Sequence, residues 1–231
     1  MAEWLKAHDW KSCNRSSRFE GSNPFFFAIY KEDIIYNTPT LTTQRLILRK
    51  FTKDDLDAIY TIFKDKQTNT FLPWFPLKTK EDALLFFKEH YEINYQKPTG
   101  YNYAICLKTN NIPIGYVNID VDDDSYDLGY GLHKDYWHQG ITSEAVAEVI
   151  TQVQKDKIPY LTATHDINNP RSGQLMKNIG MKYCYSYEEP WQPKGIQVIF
   201  RMYQLNLNCD PTFIYKGYWK RFPNHFIETD I

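Results

Sequence analysis

Tyr136-Trp137-His138-Gln139-Gly140-Ile141-Thr142-Ser143-Glu144-Ala145 is the stretch on which the reading of this 231-residue chain turns. Ahead of it, Tyr126-Asp127-Leu128-Gly129-Tyr130-Gly131-Leu132 is short and apolar-rich and reads as a strand. Behind Gly140, Ile141, Ala145, Val146, Val149, Ile150 and Val153 recur at helical spacing. The motif therefore sits where a strand turns into a helix. Glycine lets the backbone approach a ligand closely. The first helical turn has N–H groups without internal partners, and with the helix dipole these donors form an anion site. Thr142 and Ser143 add hydroxyl donors. Taken alone, the stretch is also compatible with a tight turn and a helix start that bind nothing.

A second stretch, Asn168-Asn169-Pro170-Arg171-Ser172 running on to Lys177-Asn178-Ile179-Gly180-Met181, favours the ligand reading. It is a polar helix start placed soon after the first motif. The surrounding pattern predicts strands over 45–51, 101–107, 112–121, 126–132 and 160–165, with a closing pair at 181–188 and 196–206. Helices are predicted over 54–64, 80–95, 140–156 and 170–179. Ala83, Leu84, Phe87 and Tyr91 are placed on one face of the second helix. Asn110-Asn111 and Asp122-Asp123-Asp124 read as turns of a meander. Phe71-Leu72-Pro73-Trp74-Phe75-Pro76 reads as an aromatic loop that its prolines keep out of helix. The sum is an α+β fold in one domain.

Composition narrows the partners. A net charge of −1 gives no global argument for nucleic acid. No apolar run reaches the ~20 residues a membrane helix needs. Cys13, Cys106, Cys184 and Cys209 are scattered, without metal-ligand spacing, which predicts no metal and suits a reducing cytoplasm.

Together the motifs resemble the GNAT superfamily of N-acetyltransferases, whose Q/R-x-x-G-x-G/A turn binds the pyrophosphate of acetyl-CoA. The branch it is most similar to is the ribosomal-protein-alanine N-acetyltransferases (RimJ/RimL-like), a bacterial group with many relatives. The residues carrying that likeness are Leu41-Thr42-Thr43-Gln44-Arg45-Leu46-Ile47-Leu48-Arg49, Thr52-Lys53-Asp54-Asp55-Leu56, Ile114-Gly115-Tyr116, Leu128-Gly129-Tyr130, the Tyr136–Ala145 turn, and Asn169-x-x-Ser172 before Gly180-Met181. They span roughly residues 38–207. The chain departs from the family frame in places. Trp137 stands at the Q/R position and Thr142 at the second Gly/Ala position. Met176 stands where many relatives carry a tyrosine general acid.

The resemblance implies a GNAT fold: a mixed, mostly antiparallel twisted sheet flanked by helices, with a cleft between splayed central strands, here 126–132 and 160–165. It implies acetyl-CoA as co-substrate and transfer of the acetyl group to a primary amine, on a protein N-terminus or a small molecule. Leu132 and His133 would hold the pantetheine arm, with Gln139, Gly140, Ile141, Thr142 and Ser143 at the pyrophosphate. His138 and Asn169 would contact the cofactor. Ser172 is the candidate donor to the departing thiolate, or else an ordinary first-turn serine. Asp127 is the candidate base, with Asp120, Glu188 and His165 as alternatives. Two other functions stay open: a non-catalytic acyl-CoA-binding regulator, and an aminoglycoside or polyamine acetyltransferase served by Asp120, Asp122, Asp123 and Asp124. A homodimer is allowed but not required.

Residues 1–36 are expected to be a leader. With one choice of codons, Met1–Cys13 back-translates to a run typical of a bacterial serine tRNA gene, and Glu20-Gly21-Ser22-Asn23-Pro24 to its T-arm. The expectation is that residues 1 to about 27 are a translated tRNA gene, an ordinary leader being the alternative. Residues 37–207 are expected to form the acetyltransferase domain. Residues 208–231 form an aromatic tail, with Phe213-Ile214-Tyr215, Trp219 and Phe222 expected to pack on the domain or a partner.

Overall fold

Central strands buried at nearly every residue and helices buried on one side fix a single open sheet with helices on both faces. The computed structural model describes residues 37–122 and 125–231; the leader expected at 1–36 lies outside the described residues. The chain enters through β1 (Leu41–Thr42) and β2 (Leu46–Arg49). Then come α1 (Leu56–Lys64) and α2 (Lys80–Phe87), followed by the meander β3 (Tyr101–Leu107), β4 (Pro113–Asp122) and β5 (Ser125–Leu132). Next are α3 (Ile141–Lys155), β6 (Tyr160–Asp166), α4 (Pro170–Asn178), β7 (Lys182–Trp191) and β8 (Ile196–Asn206). The tail adds α5 (Gly217–Arg221) and β9 (His225–Phe226). Among the described residues nine strands form one sheet, in the order β1-β2-β3-β4-β5-β6-β8-β7-β9. No helix among them is long and apolar enough to cross a membrane.

The feature that positions the site is the junction of β5 and β6. It is the parallel pair of the sheet, and its register holds a single match, Asp127 with Thr162. On their other sides the two strands are fully engaged, β5 with β4 over Gly115–Asp122 and β6 with β8 along Tyr160–Asp166. Beyond Asp127 the strands part, and the splay expected between 126–132 and 160–165 opens there.

Each face of the sheet has its own core. Val117, Leu128, Leu132, Leu161 and Ala163 pack on one face with Ile141, Ala145, Val146, Val149 and Val153 of α3. Ile59, Ile62 and Phe63 of α1 and Ala83, Phe86 and Phe87 of α2 pack on the other with Tyr116. At roughly 1.5–3 kcal/mol per fully buried large apolar side chain, these stripes drive the helices onto the sheet. The helix expected over 80–95 is not uniform. After Phe87 it widens into a π-helical turn, Lys88–Glu92, and ends in a 3-10 turn, Asn94–Gln96. The wider turn brings Tyr91 onto Phe51, with ring centroids 4.4 Å apart. Within α2, Phe86 rather than Leu84 lies in the core beside Ala83 and Phe87.

A third cluster joins the tail to the sheet. Tyr185, Tyr187, Val198, Phe200 and Met202 are covered by Tyr218, Trp219 and Phe222. The Tyr185 hydroxyl donates to the Tyr215 carbonyl at 2.9 Å, and β9 pairs with β7 at Ser186 and Tyr187. Arg201 of β8 grips Glu228 through Nε at 2.9 Å and Nη2 at 2.5 Å.

Candidate active site

Gly140 is the N-cap of α3 and has φ +71°, ψ 7°, a left-handed conformation that costs other L-residues strain. His138, two residues earlier, also has positive φ, at 60°. The first intrahelical bond of α3 runs from the Glu144 amide to the Gly140 carbonyl at 3.0 Å. The N–H groups of Ile141, Thr142 and Ser143 precede it and have no partner inside the helix.

The turn is braced from β2. Arg45 Nη1 donates to the Gln139 carbonyl at 2.9 Å, while its Nε bonds Glu144 Oε2 at 2.6 Å. Thr43 Oγ1 donates to Glu144 Oε1 at 2.5 Å. This brace was not found from the sequence. Its partners lie 94 and 99 residues apart, so no local pattern announces it.

Beside the turn is a cavity of about 640 Å³. Leu132, His138, Gly140, Ile141, Thr142, Ser143, Asn169 and Ser172 all line it. So do Tyr130 and Trp137 of the β5 side, Arg171 of α4, and Phe71 and Leu72 of the loop between α1 and α2. The described lining contains Arg171 and no carboxylate, in a chain with 28 acidic residues. Arg171 lies over the Trp137 ring, 5.5 Å from its centroid.

Two expected contacts stand outside this cavity. The His133 amide donates to the Ile114 carbonyl at 2.8 Å, and its ring lines a neighbouring cavity of about 620 Å³ with Lys64, Lys66 and Lys134. Its backbone N–H is thus already bonded within the sheet. Gln139 is not among the lining residues; its carbonyl is held by Arg45 and its Nε2 donates to the Asp135 carbonyl at 3.2 Å. Leu132 lines the cavity, but its carbonyl accepts from the Trp137 indole at 2.7 Å. In an antiparallel pair, backbone groups face the partner strand at alternate residues. The His133–Ile114 bond therefore turns the groups of Tyr130 and Leu132 away from β4 and into the splay.

Asn169 is the N-cap of α4, its side-chain oxygen accepting from the Ser172 amide at 3.4 Å. The Tyr130 hydroxyl lies 2.9 Å from Ser172 Oγ and 3.0 Å from the Ser172 carbonyl. A tyrosine in a strand reads as core, so Tyr130 carried no sequence signal for this role. Met176 is buried in the core and away from the cavity.

Asp127 lies on the opposite face, since it is an odd number of residues from Tyr130 and side chains alternate along a strand. Its Oδ1 accepts from Thr162 Oγ1 at 3.0 Å. Loss of solvent, with Asp120 on the neighbouring strand adding to it, pushes the carboxyl up to about 7. Part of the residue's surface stays accessible, and over Gly129 on this face an added Cβ would touch nothing within 4 Å. The loop between α1 and α2 is tied to the β7–β8 turn. They meet where Lys194 Nζ donates to the Asn69 and Thr70 carbonyls, at 3.3 and 3.1 Å.

The other candidate bases are placed differently. His165 is buried under α4, with Nδ1 2.8 Å from the Asp166 carbonyl, and desolvation lowers its pKa. A Cβ on Gly173 would lie 2.5 Å from its Nε2, so only glycine fits there. Glu188 is tied to the tail by Asn224 Nδ2 at 3.0 Å.

Comparison with known proteins accords with this geometry. The family model described as an acetyltransferase (GNAT) domain matches residues 45–182, more than half of the chain. The chain belongs to the GNAT acetyltransferase family. It is 26% identical over 145 residues to the uncharacterized N-acetyltransferase YnaD of Bacillus subtilis (strain 168), covering 62% of this chain and 82% of that one. A GNAT-family acetyltransferase structure from Bacillus anthracis has a TM-score of 0.63 at 21% identity, over 73% of this chain and 98% of that one. RimL, a ribosomal alpha-N-protein acetyltransferase solved with coenzyme A, has a TM-score of 0.60 at 16% identity, over 74% of this chain and all of its own.

Proposed function

We propose that the protein is an N-acetyltransferase that uses acetyl-CoA and acetylates a primary amine. The observation that carries this reading is the acid-free cavity placed against the unpaired first turn of α3 and open to the β5–β6 splay. A polyanionic ligand fits such a site and would be repelled by a lining that shared the chain's usual share of carboxylates.

In this reading the amides of Ile141, Thr142 and Ser143, with the two hydroxyls, hold the diphosphate. The Leu132 amide and the backbone of Tyr130 hold the pantetheine arm, and His138 and Asn169 flank it. The thioester brings an activated acetyl group and a thiolate leaving group. Ser172 hydrogen-bonds the sulfur as its charge develops. Tyr130 orients Ser172 and can pass it a hydrogen bond in turn. The amine enters from the opposite face and Asp127 takes its proton. The chain's part is orientation of the two reactants across one gap in the sheet. Motifs shared with the RimJ/RimL-like branch support an acceptor that is a protein N-terminus or another exposed primary amine. A cytoplasmic setting suits the free thiols of Cys106, Cys184 and Cys209.

The test is thiol release from acetyl-CoA in the presence of an amine panel that includes peptide N-termini, aminoglycosides and polyamines, with mass spectrometry of the products. The proposal predicts thiol release matched one-to-one by an N-acetylated product. Acetyl-CoA binding with no turnover on any amine would instead make the protein an acyl-CoA-binding regulator.

A further inference from the structure

Among the described residues there are nine glycines, and eight of them have a visible reason. Three take positive φ, and at five an added Cβ would come closer than 3.0 Å to another atom. Gly129 has neither: its φ lies outside the left-handed region, and a Cβ there would have nothing within 4 Å. Two residues on, Gly131 is the contrast, since a Cβ there would lie 2.5 Å from Cε1 of Tyr116. A glycine inside a strand weakens it, through chain entropy and lost side-chain contacts. The fold is therefore weakened at Gly129 for no reason found in its own packing.

The bare position lies in the middle of the sheet. β5 is the fifth of nine strands, yet Asp127, Gly129 and Gly131 are only partly buried, as is Thr164 on β6. Directly opposed residues share a face, so the pairs Tyr116–Gly131 and Asp127–Thr162 put these positions on one side. On that side the core under α1 and α2 ends at Tyr116 of β4, and the cluster under the tail begins on β7 and β8. The strip between them is floored by β5 and β6. Gly129 is two residues from Asp127 on the same face, about 6.7 Å along the strand. It also precedes Tyr130, whose hydroxyl lies 2.9 Å from Ser172 Oγ. We propose that Gly129 is a specificity-determining position of the acceptor site: its missing side chain leaves room for a substituent on the carbon that bears the amine. The acceptor class it admits is a primary amine on a branched carbon, as at the N-terminus of a peptide whose first residue has a side chain. The inference rests on the acetyltransferase reading, with the amine between Asp127 and the thioester.

The experiment uses Gly129→Ala and Gly129→Val in the full chain, with Gly131→Ala alongside. Acceptors are taken in pairs that differ only at the carbon bearing the amine: peptides beginning with Gly or Val, and linear or α-methyl alkylamines. Both Gly129 variants should keep or raise the melting temperature and bind acetyl-CoA as wild type does, by calorimetry. Gly131→Ala, driven against Tyr116, should lose stability. In Gly129→Val, kcat/KM for the branched member of each pair should fall about ten-fold or more, the scale of a methyl group that does not fit. The loss should come chiefly through KM for the amine, and the unbranched member should lose far less. Unchanged selectivity on every pair, in a folded Gly129→Val, would overturn the role of Gly129 and leave the acetyltransferase reading standing. So would a lower melting temperature in Gly129→Ala, because protein packing would then require the bare position. Wild type that acetylates only unbranched amines would overturn the acceptor class. Wild type that binds acetyl-CoA and turns over no amine would overturn the acetyltransferase reading, and this inference with it.

Discussion

Asp127 binds its proton more tightly in the folded chain than a free carboxyl does, from 3.8 up to about 7. The sign of the consequence follows from linkage: the native state holds more protons than the unfolded one between these values, so stability falls as pH rises through that window. The contribution is complete below pH 3.8 and gone above about 7. Asp127→Asn keeps the shape and cannot ionise. Its melting temperature should gain on wild type steadily from about pH 4 to 7, while its activity is lost. A difference in melting temperature that stays flat across that range would contradict the placement of the carboxyl. Ser172 tests the other half-site. Ser172→Ala should lower kcat, at most by the 10²–10⁴-fold typical of acid–base groups, with less change in KM for acetyl-CoA, because its bond strengthens as charge gathers on sulfur. A raised KM at constant kcat would reduce Ser172 to a cap or a cofactor contact.

At the scale of elements, the proposed anion site is a turn that another strand holds in place. Arg45 reaches from β2 to the Gln139 carbonyl and to Glu144, fixing the start of α3. Arg45→Ala should weaken acetyl-CoA binding by up to about five-fold, the ~1 kcal/mol ceiling of a partly exposed ion pair, without removing any group proposed to touch the ligand. Unaltered affinity by calorimetry would show that the turn stands without its brace. This is also where sequence reading stopped. Gly140 and the apolar repeat behind it announce a strand, a turn and a helix. The long-range bond from Arg45, the Tyr130–Ser172 contact and the indole that occupies the Leu132 carbonyl leave no periodic trace. The bond already made by the His133 amide is likewise visible only in the register of β4 and β5. The unbroken helix expected over 80–95 failed at Phe87, where packing of Tyr91 on Phe51 overrode the 3.6-residue period.

The whole molecule puts the two proposed half-sites on opposite faces of one sheet, beside the gap past Asp127 and Thr162. One face carries the α3 and α4 starts and the acid-free cavity; the other carries acidic and aromatic side chains and the tail. The tail is latched by a partly exposed pair, Arg201–Glu228. Glu228→Ala should cost up to ~1 kcal/mol, hence a melting temperature about 2–4 °C lower for a domain of this size. An unchanged melting temperature would mean the aromatic contacts hold the tail alone. Acetyl-CoA use by this chain turns on α3 receiving the diphosphate. Its most direct measurement is calorimetric titration of acetyl-CoA into wild type and Gly140→Asp. Aspartate is among the residues that tolerate positive φ, so the turn is kept and a negative charge is placed at the anion site. Saturable binding by wild type and its loss in a folded Gly140→Asp is the predicted result. Equal affinity in the two proteins would contradict the assignment of the site.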